Sequence, residues 1–211
     1  MFKYLMYAVL GYFSGSILFG YWIPLKVENI NIYEVSKDGN PGTSNTFAYC
    51  GFWCGVAVIV GDLLKGALPV YLASRTLSTE NILFSLIIVV PILGTAFPPF
   101  WYHLKGGKAI AVSFGVTIGL LPYFWPLVFL AGIYIALSTV IVIRPHRFRS
   151  ILAFFLFALA NIILIRQLAL QIGFTLVSAV VIFRHLCDRA ETKGAVVHEG
   201  SHIKLQYRWR P

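Results

Sequence analysis

Two lysines flank a Gly-Gly step in Lys105-Gly106-Gly107-Lys108, just before an apolar stretch, Ala109 to Leu121, that reads as a helix. A glycine-rich loop that opens a helix is a good seat for an oxyanion. Its backbone amides point outward, the helix dipole favours negative charge, and the ammonium groups supply countercharge.

Three other groups of residues could take part in such chemistry. Asp38-Gly39-Asn40-Pro41-Gly42-Thr43-Ser44-Asn45 holds a proline-glycine step, and Asn40 to Thr43 suits a type II turn. Ser44 or Asn45 is expected to cap the helix that follows. The amides of the turn could form an anion nest, or the segment could be an ordinary tight turn. Asp62 and Lys65 lie three apart on one helical face within an apolar run, where an ion pair satisfies both charges. That pair could orient helices or touch substrate. His185 closes the last apolar segment, either as interfacial decoration or as a group that orients or protonates a phosphate oxygen. Arg144, His146, Arg147 and Arg149 form a basic loop suited to anchoring and headgroup contact. Cys50 and Cys54 fall one helical turn apart with no third ligand evident, so small apolar helix residues are expected rather than a metal site.

The elements that must position these groups are apolar. The chain has 211 residues, of which 58% are hydrophobic and 12% charged. Soluble domains carry roughly 25% charge. Seven apolar segments stand out, at about 4–24, 46–73, 80–100, 109–121, 124–143, 150–165 and 168–183. The fourth and fifth could instead form one kinked span. The last two share the tight Arg166-Gln167 connection and read as a hairpin. The first is too long for a signal-peptide core and lacks a clear cleavage site, so a retained helix is expected. The fold expected is all-α: a polytopic membrane protein of about seven transmembrane helices, one domain over 1–211. Its core runs from about 4 to 189, and a basic tail follows over 190–211.

With the N-terminus outside and seven alternating spans, thirteen lysines and arginines fall inside, against Lys3, Arg75 and Arg166 outside. That split follows the positive-inside rule and puts every polar motif on the cytoplasmic side. The net charge of +9 then reflects topology and contact with anionic lipid, not nucleic acid. An anion site at such a surface suits a phosphorylated, lipid-related substrate.

The order of motifs is more specific than any one of them. Gly15-Ser16-Ile17, Gly39-Asn40-Pro41-Gly42 with Asn45, Asp62-Leu63-Leu64-Lys65-Gly66 with Pro69, Gly94 with Phe97-Pro98, Lys105-Gly106-Gly107-Lys108 and Arg184-His185 occur in series. Over about residues 10–189 this series resembles the bacterial PlsY family of acyl-phosphate-dependent glycerol-3-phosphate acyltransferases. The resemblance implies a seven-helix enzyme of the bacterial plasma membrane with a cytoplasmic active site. Its partners would be the lipid bilayer, acyl phosphate and glycerol 3-phosphate, and its products lysophosphatidic acid and phosphate. Neither coenzyme A, a metal nor any other cofactor is implied. Gly39, Asn40, Gly42, Asn45, Lys105, Gly106, Gly107 and Lys108 would bind phosphate, His185 and Asp38 would act catalytically, and Asp62 and Lys65 would brace the site.

Five positions depart from the family pattern. Asp38 stands at its serine, Ala48 at its arginine, Thr95 at its histidine, Ala109 at its glycine and Asp188 at its asparagine. A catalytically silent relative that binds lipid or partner enzymes would also fit those changes. A small-solute transporter would need a polar site at the membrane midplane, whereas the polar residues here gather on one face.

The charge split predicts that cysteines placed singly at positions 38 and 106, in a cysteine-free background, label only from the cytoplasmic side. Labelling of either position from outside intact cells would reverse the topology.

Overall fold

A computed structural model describes the backbone of residues 1–99 and 106–195, with side chains through Cys187. Lys105 and the tail from 196 onward lie outside the described residues, as does the side chain of Asp188. Every regular element described is helical: α1 (Phe2–Gly15), α2 (Phe19–Glu28), α3 (Ile32–Val35), α4 (Thr43–Cys50), α5 (Phe52–Thr76), α6 (Phe84–Ala96), α7 (Ile110–Gly119), α8 (Trp125–Ile135), α9 (His146–Leu164) and α10 (Leu168–Ala195). A π-helical turn, Ala136–Val140, extends α8.

Each apolar segment read from the sequence contains a helix, and two of them are interrupted. The first segment breaks between α1 and α2 at Ser16–Leu18. The second breaks at Gly51, whose φ of 91° lies in the left-handed region that a side chain disfavours, so α4 and α5 meet at an angle instead of forming one rod. Cys50 and Cys54, expected to be separate small apolar residues, are paired as a disulfide across that junction. The fourth and fifth segments are two helices separated by a turn, not one kinked span. The α9–α10 hairpin is present, joined through Ile165–Gln167, and α10 runs on to Ala195. Among the described residues, four stretches are long and apolar enough to cross a membrane: Phe2–Glu28, Phe52–Thr76, His146–Leu164 and Leu168–Cys187. Phe84–Ala96, Ile110–Gly119 and Trp125–Val140 are shorter.

Helices α5 and α6 lie at the centre. α5 packs on α1, α2, α4 and α7, and α6 packs on α1 and α10. Apolar burial drives little association between helices in lipid, so close backbone approach matters more. The seam of α5 with α7 shows this. Cβ atoms at Gly115 and Gly119 would overlap the carbonyls of Leu63 and Ala67, and one at Gly66 would collide with the Val112 carbonyl. Small residues one turn apart thus let two backbones touch, and this contact sets the height of α7, whose N-terminus carries Lys108.

Replacing Gly115 by Ala should lower thermal stability in detergent, since the α5 backbone must shift, at a cost of about 1–3 kcal/mol. Gly132 on α8 has open space where its Cβ would stand. Its alanine variant should match or slightly exceed the parent. Equal melting of the two variants would show that the α5–α7 seam is loose.

Candidate functional site

The break between α1 and α2 frees backbone carbonyls inside an apolar region, where each needs a donor. Two side chains supply them. Thr95 Oγ1 donates to the Gly15 carbonyl at 2.8 Å. Lys65 Nζ donates to the Ile17 carbonyl at 2.8 Å and pairs with Asp62 at 2.8 Å. In return Ser14 Oγ donates to the Lys65 carbonyl at 2.9 Å. The Asp62–Lys65 pair expected from spacing is therefore present, and it also ties α5 to the α1–α2 break.

The loop before α7 differs from the expected cradle of outward amides. The Gly107 amide donates to the Thr95 carbonyl at 2.9 Å. Gly106 is buried with its α-hydrogen face against the Ala96 carbonyl, where no Cβ fits. Its own carbonyl accepts from Arg184 at 2.7 Å. The Gly-Gly step thus lets the loop lie on the end of α6, and this fixes where Lys108 emerges. Ala109 then N-caps α7 with φ 59° and ψ 18°. It keeps the left-handed conformation that glycine takes without penalty, at a cost of roughly 1–2 kcal/mol.

The first loop is also built differently from the expected turn. Gly42 has φ −116° and ψ 162°, not the positive φ that a type II turn requires. Its amide donates to the Asn40 carbonyl at 2.8 Å, a tighter reversal around Pro41, whose fixed φ suits it. Gly39 is the residue with positive φ, at 55°. Neither Ser44 nor Asn45 caps α4, since Gly42 takes that position. Asn45 instead turns back, and its Nδ2 donates to Asp38 Oδ1 at 2.7 Å and to the Asn40 carbonyl at 2.9 Å. The Asn40 amide also donates to Asp38 Oδ1, at 3.3 Å. The amides of Gly39, Asn40 and Gly42 are all engaged within the loop, so it offers less of an anion nest than its sequence suggests.

The two loops meet through one ion pair. Lys108 Nζ lies 2.7 Å from Asp38 Oδ2. Burial alone would raise the Asp38 carboxyl. Hydrogen bonds from Lys108 and Asn45, the Lys108 charge and the Asn40 amide more than offset this and hold it below the ordinary carboxylate value.

Around these groups lies a cavity of about 370 Å³. Asn40, Gly42, Asp62, Lys65, Gly107 and Lys108 line it. Asn45 and Asp38 act on the wall through their bonds to Asn40 and Lys108. Gly39, Gly106 and His185 are not among the described residues that line it. His185 is 1% exposed, and its Nδ1–H donates to the Val181 carbonyl at 2.8 Å. Lys105 falls outside the described residues.

Thr95, Tyr134 and His146 line the cavity without having been singled out for it. The Tyr134 hydroxyl lies 2.9 Å from Ser150 Oγ and 3.4 Å from His146 Nε2. A tyrosine hydroxyl within an apolar helix needs a polar partner, and that requirement was the sequence signal for Tyr134. His146 reads as part of a basic anchor until the fold brings α9 beside α8.

An apolar groove of about 600 Å³, lined by Ile17, Phe19, Ile23, Ala57, Val60, Leu64 and Leu68 among others, adjoins this cavity. The two share one wall residue, Lys65.

Residues 5–191 match the family described as Glycerol-3-phosphate acyltransferase. Proteins of that name from Streptococcus pyogenes serotype M5 (strain Manfredo) and serotype M49 (strain NZ131) are each 37% identical over 137 residues, 63% of this chain. The aligned stretch covers 60% of either relative's length. The fold is similar to the crystal structure of PlsY (YgiH), an integral membrane glycerol 3-phosphate acyltransferase, in its glycerol 3-phosphate form. That similarity has a TM-score of 0.77 at 24% identity and covers 91% of this chain and 92% of that one. The lysophosphatidic acid form gives 0.75 at 25% identity, with 90% and 93% covered.

The Asp38–Lys108 contact carries a pH signature. A carboxyl depressed by folding adds stability that is present above its unfolded value of about 3.9 and is lost as pH falls through the lower folded value. The melting-temperature difference between the parent and Asp38→Asn should therefore be constant above about pH 5 and shrink below about pH 4. A difference that persists unchanged to the lowest pH would mean that Asp38 acts by packing and not by charge.

Proposed function

Because the chain belongs to the glycerol-3-phosphate acyltransferase family, we propose that it transfers an acyl chain from acyl phosphate to the hydroxyl of glycerol 3-phosphate, releasing lysophosphatidic acid and phosphate. The observation that carries this reading is that the cavity lined by Asn40, Asp62, Lys65 and Lys108 and a neighbouring apolar groove share Lys65 as a wall residue. A substrate with an anionic head and an aliphatic chain suits such a lining, in which Lys108 and Asn40 sit beside Leu18, Phe47, Ile59 and Phe114.

The chemistry asks little of the protein. Acyl phosphate is already activated, so the hydroxyl oxygen attacks the acyl carbon, the bond from that carbon to the phosphate oxygen breaks, and phosphate leaves. The hydroxyl proton ends on the released phosphate. What the protein must supply is orientation and countercharge. Lys108 is the ammonium suited to the phosphate, with Asn40 and the start of α4 facing it across the cavity. Lys65, held by Asp62 and the Ile17 carbonyl, is placed where head and chain would join. His185, one turn beyond Val181 on α10, acts in this reading through the wall and not at the reacting atoms. The whole chain serves as one membrane domain of the bacterial plasma membrane. Its N-terminus is outside and the cavity faces the cytoplasm.

One observation favours the silent-relative reading: Lys108 is already occupied by Asp38. Purified protein in lipid, given acyl phosphate and glycerol 3-phosphate, separates the two. Formation of lysophosphatidic acid and phosphate in equal amounts supports the transferase. Binding without turnover supports the silent relative.

Replacing Lys108 by Ala should weaken phosphate binding by about 10-fold or more, since a charge-assisted hydrogen bond contributes roughly 1.5–3 kcal/mol. Replacing Arg166, exposed at the α9–α10 connection, should leave it unchanged. Equal losses in a phosphate titration would remove the loop before α7 from the site.

A further inference from the structure

Among the described residues, two ammonium groups line the cavity, and each faces a carboxylate, but the two pairs differ in kind. Lys65 and Asp62 are one turn apart on α5, with side chains 2% and 10% exposed. Lys65 is further fixed by the Ile17 carbonyl at 2.8 Å. Breaking this pair would strand two charges in an apolar wall, at large cost. Lys108 and Asp38 belong to separate loops, with side chains 20% and 33% exposed. That pair is more open to water and anions than the Lys65–Asp62 pair, so its separation strands less charge away from solvent.

The Asp38 carboxylate is also built to release Lys108. Oδ2 contacts the ammonium at 2.7 Å. Oδ1 is held by Asn45 Nδ2 at 2.7 Å and by the Asn40 amide at 3.3 Å. Those bonds anchor Asp38 to its own loop, so Oδ2 can give up Lys108 without unravelling the turn that carries Asn40 and Gly42 into the cavity wall. Oδ2 meanwhile presents to Lys108 the same group that a phosphate would present, an anionic oxygen at charge-assisted hydrogen-bonding distance.

We propose that Asp38 is a resident anion on Lys108, so that phosphate binds this cavity by exchange, with the substrate's phosphate oxygen taking the place of the Asp38 carboxylate oxygen. This rests on the reading of the cavity as a phosphate site. A tethered carboxylate competes at high effective concentration. Apparent affinity is then the intrinsic affinity reduced by the fraction of molecules in which Lys108 is released. Asp38 thus sets the threshold concentration for every anion at this seat. It is a positioning residue that acts through Lys108, distinct from an acid or base on the reacting hydroxyl.

The test is binding of inorganic phosphate and of glycerol 3-phosphate, measured by titration calorimetry on the full chain in nanodiscs. Asp38→Asn keeps the size of the side chain and an oxygen for Asn45 and the Asn40 amide, while removing the charge on Lys108. Asp38→Asn should bind both ligands at least ~10-fold tighter than the parent. The gain should be similar for the two, because a competitor is removed and no contact to the glycerol part is made. Lys108→Met should abolish the gain. Equal affinity of parent and Asp38→Asn, with Lys108→Met weaker than both, would leave the phosphate site standing and overturn the exchange. Unchanged affinity in Lys108→Met would overturn the phosphate site itself, and the exchange with it. A second readout needs no variant. In the parent with isotope-labelled aspartate, phosphate should shift one carboxylate infrared band as Oδ2 leaves Lys108. Bound phosphate with an unshifted band would overturn the exchange.

Discussion

An ammonium group in an apolar helix persists only if its charge is met within hydrogen-bond reach, and the way Lys65 meets this requirement organises its surroundings. Asp62 neutralises it from the same helix, and the Ile17 carbonyl completes its shell from the break between α1 and α2. That carbonyl is available only because α1 stops. The break is in turn stabilised by Lys65 and Thr95, which donate to its freed oxygens. Charge, broken helix and buried threonine are thus one arrangement. Lys65 lines both the cavity that holds Lys108 and the neighbouring apolar groove.

Much of this was legible from residue types. The apolar runs gave the helices, the three-residue spacing gave the Asp62–Lys65 pair, and the lysine-glycine loop gave the cavity's more accessible cation. What the sequence did not disclose was where backbone groups spend their hydrogen bonds. The loop before α7 looked like a cradle of amides, yet the Gly107 amide serves the end of α6. The proline-glycine step looked like a type II turn, yet its positive φ belongs to Gly39. Asn45 looked like a cap, yet a carboxylate seven residues earlier outcompetes the helix end for its amide. These outcomes depend on partners distant in sequence or on the chain's path between them, and local propensity carries no information about either. Tyr134 and His146 were hidden for a related reason, since they become neighbours of Lys108 only when α8 and α9 pack.

Two positions in the loops have distinct physical outcomes. Ala109 holds the left-handed backbone that a glycine would adopt freely, at the expense of strain. Asp38 places a negative charge at the cavity wall, and the fold answers with Lys108, Asn45 and the Asn40 amide. That charge is therefore compensated locally.

Helices α6 and α7 have 13 and 10 residues, which span only ~20 and ~15 Å against a hydrocarbon layer of about 30 Å. The end of α6 and the start of α7 both border the cavity, through Thr95 and through Lys108 to Ala111. A bundle whose inner helices stop short draws the aqueous boundary down toward the acyl chains and invites the surrounding leaflet to thin around it. Bilayer thickness then becomes a variable of the site. Thicker membranes would deepen the well above the cavity, and thinner ones would bring its mouth level with the lipid.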